Sequence, residues 1–253
     1  MKKFLNTKLA AYLLPTIAVV ILLIVWEAAT HLWQVPTFIL PAPSDIWAAA
    51  QNFGTTVWRN GIHTLNTTLM GFFLGLVSGV LLGFLIGYSR LAYIILYPLL
   101  VGFNTIPKVA LVPLLAIWFG IGTIPAVITA FTLAFFPIAV NVAAGLATVE
   151  PEMQDVLRSL GASPWEVFQK VGLPHSLPYL FASLKVAISL AFIGSVISET
   201  VASNRGIGFV IVSASASFNV PLAFLAILAL AAMGIVLYGV FALVEQRTIH
   251  WAR

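Results

Sequence analysis

Eight acidic and four histidine side chains are all that this chain offers for acid–base or metal chemistry, and none are spaced to perform it. His31, His63, His175 and His250 stand far apart, without an H-E-x-x-H run or clustered ligand spacing. Each reads as an interfacial or loop side chain, and no metal site is expected. Glu27 is the lone acid of the first apolar run, which leaves an intramembrane hydrolase without a second acid. No G-x-x-x-x-G-K-S/T phosphate loop occurs, so no catalytic residue and no ATPase of the chain's own are expected. The absence of cysteine excludes disulfides and thiolate chemistry.

Polar residues inside apolar runs are the better pointers, because charge at bilayer depth is costly and faces a cavity or a partner. Lys108, beside Pro107, either attracts an anion or holds a gate, or else snorkels to the inner interface. Lys185 lies nearer an inner end and reads as snorkelling. Glu199 closes an apolar run near Arg205, which favours a structural ion pair in an outer loop over a substrate ligand. Asn104, Asn141 and Ser195 either line a polar channel or make interhelical hydrogen bonds. Trp118 and Phe119, before Gly120, suit an outer mouth or simply the interface.

These residues are positioned by a membrane architecture. The chain is 61% hydrophobic and 8% charged, against about 25% charged for soluble domains. Runs near or above the roughly 20 residues needed to span occur at 11–33, 63–88, 91–119, 123–146, 179–201 and 222–245. The expectation is an all-α, polytopic integral membrane protein with about six transmembrane helices in a single domain, 1–253. The first run is too long for a secretory signal and lacks a small-x-small site, so it is expected to be retained. The third is interrupted by Asn104, Pro107, Lys108 and Pro113, a broken span tolerable only against protein or a wet cavity. Residues 34–62 are expected to form an outer loop with a short helix capped by Ser44, with Trp33, Trp47 and Trp58 at the interface. Gly71, Gly75, Gly79, Gly83 and Gly87 recur every four residues, a stripe that lets another backbone approach, for sliding or for static tight packing.

Basic residues collect on the cytoplasmic side of membranes. With both termini inside, that side holds Lys2, Lys3, Lys8, Arg90, Arg158, Lys170, Arg247 and Arg253, and the outer side only Arg59 and Arg205. The net charge of +4 reports this bias and gives no face for nucleic acid.

The remaining polar stretch, 147–178, is then cytoplasmic. Pro151 opens a helix, Glu152 and Asp155 suit its early turns, Arg158 its end, and Gly161 its cap. Ser163-Pro164-Trp165-Glu166 spells a second start with a capping box, and that helix is expected to end before Pro174. The result is a preformed knob.

The knob resembles the cytoplasmic signature of permeases of ATP-binding-cassette importers: Glu-Ala-Ala, three residues, Gly, nine residues, Ile-x-Leu-Pro. Asp155-Val156-Leu157, Gly161 and Val171-Gly172-Leu173-Pro174 stand at that spacing. Leu40-Pro41-Ala42-Pro43-Ser44-Asp45, Ile106-Pro107-Lys108, Trp118-Phe119-Gly120-Ile121-Gly122 and Asn204-Arg205-Gly206-Ile207-Gly208 are similar to landmarks of the nitrate, sulfonate and taurine subgroup. The resemblance implies a type I importer-like permease fold and a loop, 147–178, docking on a separate ATPase. Asp155, Arg158, Gly161, Ala162, Ser163, Pro164, Trp165, Glu166, Leu173 and Pro174 would make that contact. It further implies two ATPase subunits carrying ATP and Mg, a second identical permease chain, an extracytoplasmic solute-binding protein and a lipid surround in the bacterial cytoplasmic membrane. The chain itself would bind no cofactor. The cargo implied is a small polar solute, a sulfonate-, taurine- or nitrate-like anion first and a pyrimidine-like compound second. A gradient-driven carrier or channel, and a membrane scaffold, are the rival classes.

Overall fold

The computed structural model describes the backbone of residues 8–249 and side chains from Leu13 onward, apart from that of Pro164. Lys2, Lys3, His250, Arg253 and the side chain of Lys8 lie outside the described residues. Two compact units divide the chain, one of residues up to Trp58 with Val210–Ala229, the other of Arg59–Phe209 with residues from Leu230 on.

Helix α1 (Lys8–Leu32) is followed by α2, Pro43–Tyr88, a single helix of 46 residues. At 1.5 Å per residue α2 is about 69 Å long, more than twice the hydrocarbon core. The expected outer loop over 34–62 is therefore corrected from residue 43 onward. No proline occurs between Pro43 and Pro98, and Gly54 and Gly61 weaken a helix by only about 1 kcal/mol each without stopping it. Ser44 is not the cap either. Pro43 takes the first helical position and the Asp45 carboxylate reaches back to accept the Ala42 amide at 3.0 Å. Ser44 instead donates its amide (3.0 Å) and hydroxyl (2.7 Å) to Glu27, which also meets His31 at 2.9 Å.

Ser89 caps α3 (Arg90–Thr105), its hydroxyl accepting the Ala92 amide at 3.3 Å. Ile106, extended as a residue before proline must be, and Pro107 break the helix; a 3-10 turn at Lys108–Leu111 leads into α4 (Val112–Phe119). The two arms bend by 75°. Gly120 and Gly122 turn the chain at φ +79° and +139°, a backbone only glycine adopts without strain. Gly122 then donates to the Ala202 carbonyl at 2.9 Å.

α5 (Thr123–Ala147), the knob helices α6 (Pro151–Ser159) and α7 (Pro164–Val167), and α8 (Leu173–Ala202) follow. The second knob helix does not end before Pro174. A π turn, Phe168–Gly172, joins α7 to α8 without a break, the Leu173 amide donating to the Phe168 carbonyl. Widening the turn accommodates Pro174, which supplies no N–H and would otherwise press on the preceding turn. α9 (Ile207–Ala216), absent from the sequence reading, and α10 (Val220–Thr248) complete the described helices. Among the described residues five helices are long and apolar enough to cross a membrane, six if the bent α3–α4 pair is one span.

Within the second unit the core forms where α2, α5 and α8 meet, around Phe72, Ala130, Ala134, Ile138, Leu184, Ala187, Ile188 and Ala191. The glycine stripe faces α5 in register. A Cβ on Gly75 or Gly79 would sit 3.0 Å from the Cβ of Ala134 or Ile138, and one on Gly87 2.8 Å from that of Leu146. The glycines of α2 stand at the same four-residue period as Ala130, Ala134, Ile138, Val142 and Leu146 of α5 and bring the two backbones together in parallel.

Candidate functional site

The knob is closed at both joints by its own backbone. At the end of α6 the Ala162 amide donates to Leu157 (3.0 Å) and the Gly161 amide to Arg158 (3.0 Å), with Gly161 at φ +83°. That is a complete Schellman cap. Ser163 and Glu166 then form the expected capping box: the Glu166 amide donates to the Ser163 hydroxyl (3.3 Å) and the Ser163 amide to the Glu166 carboxylate (2.8 Å). Arg158 reaches Asp155 (3.4 Å) and Gln154 (3.3 Å). Leu173 and Pro174 form the first turn of α8, beyond the π turn.

The knob also carries unpartnered apolar side chains. Met153, Val156, Leu160 and Trp165 are all exposed, Leu160 at 77%. Met153, Val156 and Leu160 lie outside every helix long and apolar enough to span, and Trp165 stands at the first residue of one.

The pathway candidates separate into distinct places. Lys108 is buried, and its ammonium donates to the main-chain carbonyl (2.8 Å) and side-chain oxygen (2.6 Å) of Asn104. It therefore closes the C-terminal end of α3, where carbonyls lack helical partners and positive charge is favoured. Both residues border an otherwise apolar cavity of about 260 Å³, with Leu99, Phe103, Thr132 and Phe136 on its wall. Asn141 is elsewhere, donating within its own helix to Pro137 (2.8 Å). Trp118 is exposed near the end of α4. No shared polar channel joins Asn104, Asn141 and Ser195 among the described contacts.

Glu199 makes no ion pair with Arg205, which corrects that expectation. Its side chain is 1% exposed and accepts the Thr64 hydroxyl (2.8 Å), the Gly208 amide (3.1 Å) and, at 3.5 Å, the Thr67 hydroxyl. Thr67 in turn bonds Ser195, and Asn60 accepts the Gly206 amide at 2.8 Å. Gly206 stands at φ +97°, and any side chain there would overlap the carboxyl group. The loop after α8 is thus clasped onto α2 around a buried carboxylate. Asn60, Thr64 and Thr67 were missed in the sequence, although Thr67 stands four residues before Gly71, in phase with the glycines that follow. Lys185 pairs with Glu245 of α10 at 2.6 Å instead of snorkelling free.

The multi-span helical frame, with its bent α3–α4 pair and clasped interhelical loop, has the fold of type I importer permeases. A structure titled as inward-facing conformations of a methionine ABC transporter matches 78% of this chain and 97% of its own, with TM-score 0.69 at 19% identity. Residues 71–250 match the family of binding-protein-dependent transport system inner membrane components, and the chain belongs to that family. It is similar to a riboflavin transport system permease of Chloroflexus aurantiacus, 32% identical over 93% of this chain and 88% of the relative. It is also similar to the taurine transport system permease of Escherichia coli, 30% identical over 91% and 86%.

Proposed function

We propose that this chain works as one permease domain of an ATP-driven importer, coupled through residues 147–178 to a separate ATPase. The observation that carries this is the doubly capped knob with Met153, Val156, Leu160 and Trp165 exposed on it. A rigid protrusion with an apolar surface fits a protein socket, and the chain has no phosphate loop to hydrolyse ATP alone. Two ATPase subunits holding ATP and Mg, a second identical permease chain and an extracytoplasmic solute-binding protein complete the assembly. Both termini face the cytoplasm of a bacterial cell, as the distribution of basic residues favours. ATP binding would close the ATPase pair, carry the knob with it and turn the spans outward; hydrolysis would reset them.

The cargo is a small polar solute. The taurine-named relative supports a sulfonate-like anion, for which Lys108 at the α3–α4 break is the cation on the pathway. The riboflavin-named relative supports a heterocyclic compound of the pyrimidine-like kind as the second reading.

The test is ATPase activity of the complex purified in lipid, wild type beside Gly161→Trp, with candidate ATPase subunits co-expressed. No atom lies within 4 Å of a Cβ at Gly161, so a side chain there meets no clash at its first atom and acts on the knob through backbone strain at φ +83° and through its bulk on the contact surface. Co-purification of an ATPase with wild type, and its loss or uncoupling in the variant, supports the reading. Solute transport with no ATPase associated makes the chain a gradient-driven carrier instead.

A further inference from the structure

The two halves of the knob meet the spans differently. α6 has no buried residue. An open cavity of about 350 Å³ separates it from the spans, with Gln154 and Arg158 of α6 on one wall and Gly87, Leu146, Phe168 and Gly172 on the other. A helix that buries none of its side chains shares few contacts with what lies beyond, so its displacement is poorly passed on.

The second half is joined by rings. Trp165, 60% exposed, lies against Phe168 at 5.3 Å between centroids. Phe168 meets Phe84 of α2 edge to face, at 4.8 Å and 81°, and Phe84 stacks on Tyr88 at 5.7 Å. Edge-to-face and offset contacts of this kind are the favoured aromatic geometries. Gly172 leaves room for the Phe168 ring, because a Cβ there would stand 3.1 Å from its Cδ2. α2 in turn is held to α5 by the glycine register, and the π turn carries the same half of the knob into α8 without a break.

We propose that Phe168 is a positioning residue that passes movement of the knob's second half, received at Trp165, through Phe84 into the joined α2–α5 pair, while α6 is the compliant half. The inference rests on the importer reading above. It assigns the working stroke to one side of the knob, where the two halves would otherwise be equivalent contact surfaces.

The experiment uses the whole complex of permease, ATPase and binding protein in liposomes, with solute uptake and ATP hydrolysis followed together. Phe168→Ala is expected to keep the ATPase bound and hydrolysing while solute moved per ATP falls about five-fold or more, the scale of an ordinary coupling between sites. Phe168→Tyr keeps the ratio of wild type. Phe84→Leu, which keeps apolar volume and removes the ring, lowers the ratio without relying on the fold of Phe168→Ala. Because both side chains belong to one link, the double substitution is no worse than the poorer single. Gln154→Ala, in the compliant half, lowers the ratio by much less than Phe168→Ala does. An unchanged ratio in Phe84→Leu and Phe168→Ala, or an equal fall in Gln154→Ala, overturns the relay and leaves the importer reading standing. Failure of wild type to retain any ATPase overturns both.

Discussion

The α2–α5 seam and the knob are both rigid, but for opposite reasons. At the seam, rigidity comes from the absence of side chains: five glycines let two backbones touch, so nothing is left to yield. In the knob it comes from hydrogen bonds local in sequence, a Schellman cap and a capping box, around a surface that stays open. A seam tolerates no added atom, whereas a knob tolerates almost any atom that leaves its caps intact. The difference teaches that the same residue type, glycine, is required for space in one region and for backbone conformation in the other.

The sharpest way to break that comparison is Gly83→Leu. A Cβ there would lie 2.5 Å from the Ala139 carbonyl oxygen and 2.8 Å from the Val142 Cβ, so backbone must move. The expected result is a loss of about 3 kcal/mol, the upper end for overpacking, seen as collapsed expression and thermal stability in detergent. Gly54→Leu, with nothing within 4 Å, should leave folding unimpaired. Glu199→Ala comes next. It strands the Gly208 amide in a buried site, while the Thr64 hydroxyl keeps the Asn60 carbonyl; the cost is about 1–3 kcal/mol, and a lowered midpoint of thermal unfolding measures it.

Gly161→Ala probes the knob's glycine. At φ +83° with free space around it, alanine should cost about 1–2 kcal/mol through conformation alone, registered as faster amide exchange confined to α6 and α7. Ser163→Ala should remove the capping box for about 1 kcal/mol and raise exchange at the start of α7, leaving the seam untouched. The smallest effect is expected at Thr68. Its hydroxyl is buried and finds no partner among the described residues. Thr68→Val should therefore be neutral or slightly stabilising, while the same change at the bonded Thr67 destabilises. Equal losses at the two threonines would mean that the clasp is held by packing and not by its hydrogen bonds.

Much of the knob was legible because its signals are local. Pro151, Gly161, Ser163 and Glu166 each announce a cap within four residues of where it acts, and each was placed by spacing alone. The error at Pro174 is of another kind. A proline stops a regular α-helix, but a π turn at Phe168–Gly172 absorbs it, and no short sequence pattern marks that turn. Residues 43–62 misled for the converse reason, since polar, glycine-containing sequence with interfacial tryptophans looks like loop until the continuous helix is seen.

By itself the sequence determined an all-helical chain of five to six apolar spans, the break at Pro107, the doubly capped knob and the small-residue face of α2. Hydropathy, proline geometry and capping act over a few residues and are written in order along the chain. Tertiary structure alone decided that Glu199 turns away from Arg205 and into a cage of Thr64, Thr67 and Gly208. It alone decided that Lys185 finds Glu245 and that Phe168 meets Phe84. A buried polar group or ring takes the partner that folding brings within reach, and Thr64 and Glu199 are 135 residues apart in the chain.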